Sequence, residues 1–121
     1  MANCTAARRV LIVDDEPLLR CEIAERLTEC GHFTLEAGTA RDAIDAATRD
    51  PSIDVIFLDC GLPDCPDFGP LEVLRGTVPY AAIIMLCANV AQPEFVNRAL
   101  RLGATTVMLK PVDMNAMPDL V

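Results

Sequence analysis

Basic residues are scarce in this sequence, and long apolar runs are missing. Ten lysines and arginines stand against 18 aspartates and glutamates over 121 residues, so the net charge is −8. An acidic chain without a basic stripe is poorly suited to nucleic acid and better suited to cations or basic protein surfaces. No apolar run approaches the ~20 residues of a membrane span, and no signal peptide is recognisable. We therefore expect a cytoplasmic protein that directly contacts neither nucleic acid nor a membrane.

Histidine is almost absent, whereas cysteine is frequent. His32 is the single histidine and no C-x-x-C pair occurs, so a zinc site has little support. The six cysteines are Cys4, Cys21, Cys30, Cys60, Cys65 and Cys87. In a secreted chain they would suggest three disulfides. Without a signal peptide, they fit reduced thiols that act as small hydrophobic residues.

Five apolar runs recur along the chain, with helical patterns between them. The runs occupy residues 8–15, 33–37, 54–64, 81–89 and 105–111. Most are continuous rather than alternating, which is typical of strands covered on both faces of a parallel sheet. Between them, Pro17 and Pro93 are suited to helix starts, and Gly31 and Gly103 to helix stops. The alternation predicts one α/β doubly wound domain over residues 1–121, with right-handed crossovers.

Two helix ends carry more specific expectations. Thr39 and Asp42 have the spacing of a capping box, in which a threonine side chain bonds a backbone N–H three residues later. At the other end of the chain, the last helix is expected to run only from about Asp113 to Met117, because Pro118 interrupts it.

Charged residues follow the predicted strands at the edge where ligands bind in open α/β sheets. Asp14 and Asp15 follow the first run, Asp59 ends a strand in the third, Cys87 ends the fourth, and Lys110 the fifth. Three neighbouring carboxylates repel one another, so a neutralising cation is expected, and oxygen ligands favour Mg²⁺. Lys110 is the only lysine beside nine arginines. This group of residues suits phosphoryl chemistry, with Asp59 as a covalent nucleophile.

Four short motifs lie at these strand ends, in a fixed order. They are VDDEP (Val13–Pro17), LDCGLPD (Leu58–Asp64), MLCA (Met85–Ala88) and GATTVMLKP (Gly103–Pro111). Together they resemble the receiver domains of bacterial two-component response regulators, and the resemblance covers nearly the whole chain. It implies a flavodoxin-like, five-stranded parallel sheet in the order 2-1-3-4-5, with no output domain in this chain. It also implies no enzymatic activity beyond the domain's own phosphorylation and dephosphorylation.

The resemblance assigns roles to the acidic residues. Asp59 is implied to be the phosphoacceptor, which takes a phosphoryl group from a histidine kinase or a phosphotransfer protein. Mg²⁺ is implied to bind Asp15 directly and Asp14 largely through water. Asp59 and the backbone carbonyl of Gly61 complete the implied protein ligands. Signalling would then proceed by contact with a downstream protein.

The resemblance also assigns the residues around the phosphoryl group. Lys110 is implied to contact the phosphoryl oxygens, and the backbone N–H groups of Cys60 and Ala88 to help hold them. The peptide bond between Lys110 and Pro111 is implied to be cis.

Two residues and two segments depart from the family pattern. Cys87 stands where the family usually has a threonine or serine whose hydroxyl bonds the phosphoryl group, and a thiol is a weaker donor. Val107 stands where the family usually has a tyrosine or phenylalanine. The last helix is short, and the loop after Asp59 is about two residues longer than usual. We therefore expect intact phosphoryl chemistry that is coupled weakly or differently to the output face. In the family this face is formed by the fourth helix, the fifth strand and the fifth helix.

Simpler interpretations remain open. The acids Asp14–Glu16 also suit a helix N-terminus, Asp59 suits a turn, and Lys110 suits a solvated surface. A pseudo-receiver that binds partners without phosphorylation is the main alternative function. A small α/β phosphatase is a weaker alternative, because Gly61 stands where its second catalytic aspartate would be.

The thiols near the acidic residues also allow two interpretations. Cys60 and Cys65 flank the predicted site, which suggests a redox switch. A thiol among carboxylates is expected to have a raised pKa and low reactivity, so packing is the favoured interpretation.

Overall fold

Strands form within the apolar runs, and helices fill the segments between them. The computed structural model describes residues 6–64, 67–88 and 93–121. The strands are β1 (Arg9–Val13), β2 (Phe33–Ala37), β3 (Val55–Asp59), β4 (Ala82–Cys87) and β5 (Thr106–Leu109). The helices are α1 (Pro17–Glu29), α2 (Ala40–Arg49), α3 (Gly69–Thr77) and α4 (Pro93–Leu102), and a 3₁₀ turn (Met117–Leu120) follows β5.

All neighbouring strands pair in parallel, in the order β2-β1-β3-β4-β5. Val13 at the end of β1 pairs with Ala37 in β2 and with Leu58 in β3. Asp59 at the end of β3 pairs with Leu86 in β4. The carboxyl ends of the central strands therefore meet at one edge of the sheet. This confirms the predicted doubly wound α/β fold and its strand order.

Successive residues of the central strands enter two separate cores. In β1, Leu11 and Val13 pack with residues of α2, α3 and α4 on one face of the sheet. Val10 and Ile12 pack with α1 and with Met117 on the other face. Because both faces are covered, every one of these strand positions is apolar, which explains the continuous runs in the sequence.

The start of α2 is held by side chains from two segments. Thr39 Oγ1 accepts the backbone N–H of Asp42 at 3.1 Å, so the threonine half of the predicted capping box is present. The Asp64 carboxylate, from the loop after β3, accepts the N–H groups of Ala40 at 3.0 Å and Arg41 at 3.2 Å. These backbone bonds are the main reason why the pKa of Asp64 is lowered. The loop that follows Asp59 is thereby tied to α2.

Arg75, in the last turn of α3, donates to three backbone carbonyls. Its guanidinium donates to the carbonyl of Gly103 at 3.0 and 2.6 Å, to Pro79 at 3.0 Å and to Ala81 at 2.6 Å. Gly103 has a φ of 124°, and a Cβ there would lie 2.8 Å from Arg75 Cγ. Glycine is therefore required at the end of α4 both for its φ and for the close approach of this arginine.

The predicted last helix is wrong in position and type. Residues 114–116 form a turn and Met117–Leu120 a 3₁₀ helix, instead of an α-helix from Asp113 to Met117. Asp113 Oδ1 accepts the N–H of Asn115 at 2.9 Å, a local bond that competes with helix formation. Pro118 also lacks the N–H that an α-helix needs. Met117 is nevertheless buried, and the tail covers one face of the sheet.

Some predictions fall outside what the structure describes. The long loop predicted after Asp59 contains Cys65 and Pro66, and neither these residues nor Cys4 are among the described ones. Across residues 6–64, 67–88 and 93–121, no helix has both the length and the apolar character needed to cross a membrane.

Candidate functional site

Three aspartates converge at the carboxyl edge of the sheet. Asp14 and Asp15 follow β1 directly, and Asp59 is the last residue of β3, the strand beside it. One carboxylate oxygen from each lies within 4.8 Å of the others. This is the cluster that the strand ends predict, and its all-oxygen donor set suits a hard cation such as Mg²⁺.

Asp14 is completely buried, which is unusual for a carboxylate. Its Oδ1 accepts the backbone N–H of Glu16 at 2.8 Å. Its Oδ2 forms an ion pair with Lys110 Nζ at 2.9 Å but receives no well-directed hydrogen bond. A buried carboxylate oxygen without a hydrogen bond is costly, and a cation held between the aspartates would offset that cost. The residues present therefore fit a divalent cation.

Asp59 is only 7% exposed. Its carboxylate lies next to Asp14, Asp15 and Lys110. Its Oδ1 accepts the N–H of Gly61 at 3.2 Å and lies 3.5 Å from Lys110 Nζ. Burial is the main cause that raises the pKa of the Asp59 carboxyl. The Gly61 N–H opposes this rise, whereas the charge of Asp14 and a hydrogen bond with the Asp15 carboxyl add to it. Without a cation, Asp59 is therefore easier to protonate than an ordinary aspartate.

Lys110 neutralises part of this negative charge. Its ammonium lies 2.9 Å from Asp14, 3.1 Å from Glu16 and 3.5 Å from Asp59. Burial lowers the pKa of Lys110, but the nearby carboxylates of Asp14 and Glu16 outweigh burial, so the net shift of this pKa is upward. Lys110 is therefore a permanent cation that is shared by three carboxylates.

Glu16 is a member of this group that the sequence did not identify. It is exposed, but its Oε1 lies 3.1 Å from Lys110 Nζ across 94 positions of the chain. In the sequence Glu16 is simply the third of three consecutive acids, and the pattern suits a helix N-terminus equally well. Glu16 could belong to the acidic cluster or only to the start of α1. The loop after β5 brings Lys110 next to the loop after β1, and this contact places Glu16 in the cluster.

Two thiols lie beside the aspartates. Cys87 ends β4 and is 3% exposed, and Cys60 follows the end of β3. A hydrogen bond from the Cys87 thiol lowers the pKa of Cys60 to about 7, against the effects of burial and of Asp59, and the Ala88 N–H also bonds the Cys60 sulfur. The hydrogen bond to Cys60 is also the largest cause of the raised pKa of Cys87. The prediction of a raised pKa is therefore wrong for Cys60, because two donors stabilise its thiolate.

The backbone donors predicted to hold a phosphoryl group have acceptors within the protein. The N–H of Cys60 donates to the carbonyl of Leu86 at 3.0 Å, and the Ala88 N–H bonds the Cys60 sulfur. A phosphoryl oxygen at this position would therefore have to exchange with these bonds. The peptide bond between Lys110 and Pro111 is cis.

Val107 lies apart from the acidic cluster. It is half-buried in β5, pairs with Met85 and packs against the core that contains α3 and α4. Next to this core is a cavity of about 410 Å³, lined by Cys60, Asp67, Phe68, Gly69, Glu72, Met85, Phe95 and Arg98. The rings of Phe68 and Phe95 lie 5.0 Å apart, and the Arg98 guanidinium lies 5.2 Å from the Phe68 ring. Cys60, which directly follows Asp59, is the part of this lining that is next to the acidic cluster in the chain.

Known proteins resemble this chain in both sequence and fold. The chain is 37% identical over 106 residues to the transcriptional regulatory protein KdpE of Mycobacterium tuberculosis, covering 88% of this chain but 46% of the relative. It is 30% identical over 112 residues to the chemotaxis protein CheY of Treponema pallidum, covering 89% and 76% of the two chains. The chain thus spans about half the length of KdpE.

Solved structures agree with this relationship. CheY4 of Vibrio cholerae superimposes with a TM-score of 0.86 at 26% identity, covering 95% of this chain and 96% of that one. CheY in the CheX–CheY–BeF₃–Mg²⁺ complex of Borrelia burgdorferi has a TM-score of 0.84 at 25% identity, covering 93% and 84%. The family model of the response regulator receiver domain matches residues 10–121. This chain belongs to the response regulator receiver domains.

Proposed function

We propose that this receiver accepts a phosphoryl group on Asp59, with Mg²⁺, from a histidine kinase or phosphotransfer protein. The observation that carries the proposal is the shared pocket of Asp59, two further aspartates and the chain's only lysine. Receiver domains are signalling domains rather than conventional enzymes, so the expected output is a protein contact and not a released product.

Four residues of this chain are proposed to hold the metal ion. Asp15 is exposed beside the buried Asp14 and Asp59, so it offers an oxygen on the solvent side of the cluster. We assign Asp15 as a direct ligand, Asp14 as a ligand mainly through water, and Asp59 and the Gly61 carbonyl as the remaining protein ligands. The cation would neutralise the aspartates and the incoming phosphoryl oxygens.

The proposed reaction uses two side chains of the site. A carboxylate oxygen of Asp59 attacks the phosphorus of the donor phosphohistidine, an O–P bond forms, and the P–N bond to the donor imidazole breaks. Lys110 stabilises negative charge on the phosphoryl oxygens, because its ammonium lies 3.5 Å from Asp59. The backbone N–H groups of Cys60 and Ala88 would then exchange their protein acceptors for phosphoryl oxygens.

The wider setting is also part of this proposal. We infer a single receiver domain over residues 1–121 that acts in the cytoplasm through a downstream protein, without contacting nucleic acid or a membrane itself. The acidic surface, with a net charge of −8, supports contact with protein partners.

Acetyl phosphate tests the phosphoryl step directly. After incubation with acetyl phosphate and Mg²⁺, intact-mass spectrometry is expected to find one added phosphoryl group, which is lost on removing Mg²⁺ or in Asp59→Asn. Asp45→Asn, which removes an exposed carboxylate of α2, is the matched control and should accept the group normally. Absence of phosphoryl mass in the folded parent protein would contradict the proposal.

Coupling between the site and the output surface is proposed to be weak. Cys87 offers a thiol where a hydroxyl would reach the phosphoryl group, and Val107 offers no ring that could turn inward. Beryllofluoride with Mg²⁺ is therefore expected to shift NMR signals near Asp59 but to leave those of α4 nearly unchanged. The double variant Cys87→Thr with Val107→Tyr should restore shifts in α4, and large shifts in the parent protein would contradict weak coupling.

The main alternative is a pseudo-receiver that binds its partner regardless of phosphorylation. It is favoured by the acceptors that already occupy the N–H groups of Cys60 and Ala88. Partner affinity, measured with and without phosphorylation, distinguishes the two functions. A pseudo-receiver predicts equal partner affinity for the parent protein, with and without acetyl phosphate, and for Asp59→Asn.

A further inference from the structure

Cys60 and Cys87 are neighbours across two paired strands. Asp59 pairs with Leu86 in the parallel ladder, and the N–H of Cys60 continues it to the Leu86 carbonyl at 3.0 Å. The next pair in this register is Cys60 and Cys87. Parallel strands lie about 4.8 Å apart, within the range of roughly 4.4–6.8 Å found between Cα atoms of disulfides. Each thiol is close enough to shift the pKa of the other, downward for Cys60 and upward for Cys87.

We propose that Cys60 and Cys87 form a reversible disulfide next to Asp59, which makes the phosphoryl site a target of oxidation. Two observations carry this proposal: the register of the paired strands, and the cavity of about 410 Å³ that Cys60 lines. Cys60 is half-buried and lines that cavity, whereas Cys87 is only 3% exposed. An oxidant therefore meets Cys60 first.

Hydrogen peroxide, a common small oxidant, balances the chemistry. The Cys60 sulfur attacks one peroxide oxygen, so an S–O bond forms, the O–O bond breaks and one water leaves. The Cys87 sulfur then attacks the Cys60 sulfur, so an S–S bond forms, the S–O bond breaks and a second water leaves. The protein loses two protons and two electrons, which together are two hydrogen atoms, and the peroxide is reduced to the two waters. Thiol exchange with a small dithiol such as dithiothreitol reverses the reaction.

The predicted consequence rests on the proposed phosphoryl function. In the reduced protein, the Ala88 N–H bonds the Cys60 sulfur and must leave it to reach a phosphoryl oxygen. A disulfide would hold both sulfurs at this edge and tie the end of β4 to β3. We therefore expect phosphorylation of the oxidised protein to be about tenfold slower or more, which corresponds to at least ~1.4 kcal/mol of barrier.

Mass spectrometry of the full chain tests the disulfide without reference to phosphorylation. The reduced protein treated with hydrogen peroxide is expected to lose two hydrogen atoms, and unreduced peptides should contain Cys60 linked to Cys87. Cys87→Ser and Cys60→Ala should each prevent this loss, whereas Cys21→Ser, which alters an exposed thiol of α1, should not. A different link, such as Cys60 to Cys65, or no link in the folded parent, would overturn the proposal.

A second measurement tests the regulatory consequence. Oxidised and reduced samples of the parent protein are given acetyl phosphate and Mg²⁺, and dithiothreitol is then added to the oxidised sample. Slow phosphorylation that recovers with dithiothreitol supports the inference. Equal rates in both samples contradict the regulation. A reduced sample that accepts no phosphoryl group contradicts the proposed function and leaves the peptide-mapping result to judge the disulfide.

Discussion

The carboxylate of Asp59 is buried, and burial disfavours its negative charge. Burial raises its pKa above the ordinary carboxyl value of about 3.9. The folded state therefore binds a proton more tightly than the unfolded chain, and stability falls as pH rises from the unfolded pKa to the folded pKa. At neutral pH the ionised Asp59 destabilises the metal-free fold.

Asp59→Asn is therefore expected to raise the melting temperature at pH 7 in a metal chelator, because the amide carries no charge to desolvate. The gain should shrink as pH falls towards about 4, the ordinary carboxyl value, because the raised pKa of Asp59 makes its protonation begin at a higher pH. Thermal unfolding at both pH values measures this difference. Asp45→Asn should change little at either pH, and a lower melting temperature for Asp59→Asn at pH 7 would contradict the assignment.

Among the residues of the site, the sequence predicted the three aspartates and Lys110, because they directly follow or end apolar strands. It could not predict Glu16, whose contact with Lys110 spans 94 positions. It also misjudged Cys60, because the two donors that lower its pKa come from the neighbouring strand and loop. Bonds between segments distant in sequence were the missing information in both cases.

Thr39 is one of the two side chains that hold the start of α2. Thr39→Ala removes the acceptor of the Asp42 N–H, and the loss is expected to cost about 1 kcal/mol, within ~0.5–2 kcal/mol. Urea unfolding measures it. Thr48→Ala on the same helix is the control, since its hydroxyl bonds only the Ile44 carbonyl within the helix, and its effect should stay within ~0.5 kcal/mol. Equal losses in both variants would argue against the cap.

Arg75 is expected to be the most sensitive surface position of α3. Arg75→Met leaves the carbonyls of Ala81 and Gly103 without their charged donor. We expect a loss of about 2–4 kcal/mol, because such bonds contribute roughly 1.5–3 kcal/mol each and do not add fully. Urea unfolding should show Arg101→Met, an exposed arginine in the last turn of α4, to be nearly neutral. An unchanged midpoint for Arg75→Met would refute this role.

The sequence predicted the main strands and helices more reliably than the conformation of the C-terminal tail. Both faces of the sheet are covered, so continuous apolar runs predicted the strands, and glycines predicted the ends of α1 and α4. The tail failed because a short segment has little propensity of its own. Its conformation is decided by the Asp113 side chain, by Pro118 and by the burial of Met117.

The whole molecule is acidic, and three of its carboxylates lie close together at the carboxyl edge of the sheet. Mg²⁺ bound only by the folded state should therefore stabilise the entire domain. At tenfold the dissociation constant the expected gain is about 1.4 kcal/mol, or roughly 3–6 °C in melting temperature for a domain of this size.

Thermal unfolding with MgCl₂ and with NaCl at equal ionic strength separates ion binding from general screening. The Mg²⁺-specific gain should disappear in Asp59→Asn and persist in Asp45→Asn. Equal gains from both salts in the parent protein would show that the aspartate cluster holds no specific cation.

The single lysine of this sequence has one further consequence. Its side chain is 12% exposed and paired with three carboxylates, and its raised pKa keeps the amine protonated and poorly nucleophilic. Side-chain acetylation, ubiquitin attachment or amine-reactive dyes thus have one internal target in this sequence. Any such modification would remove the positive charge that balances Asp14 and Asp59. Resistance of Lys110 to acylating reagents would therefore serve as a direct readout of whether its ion pairs are intact.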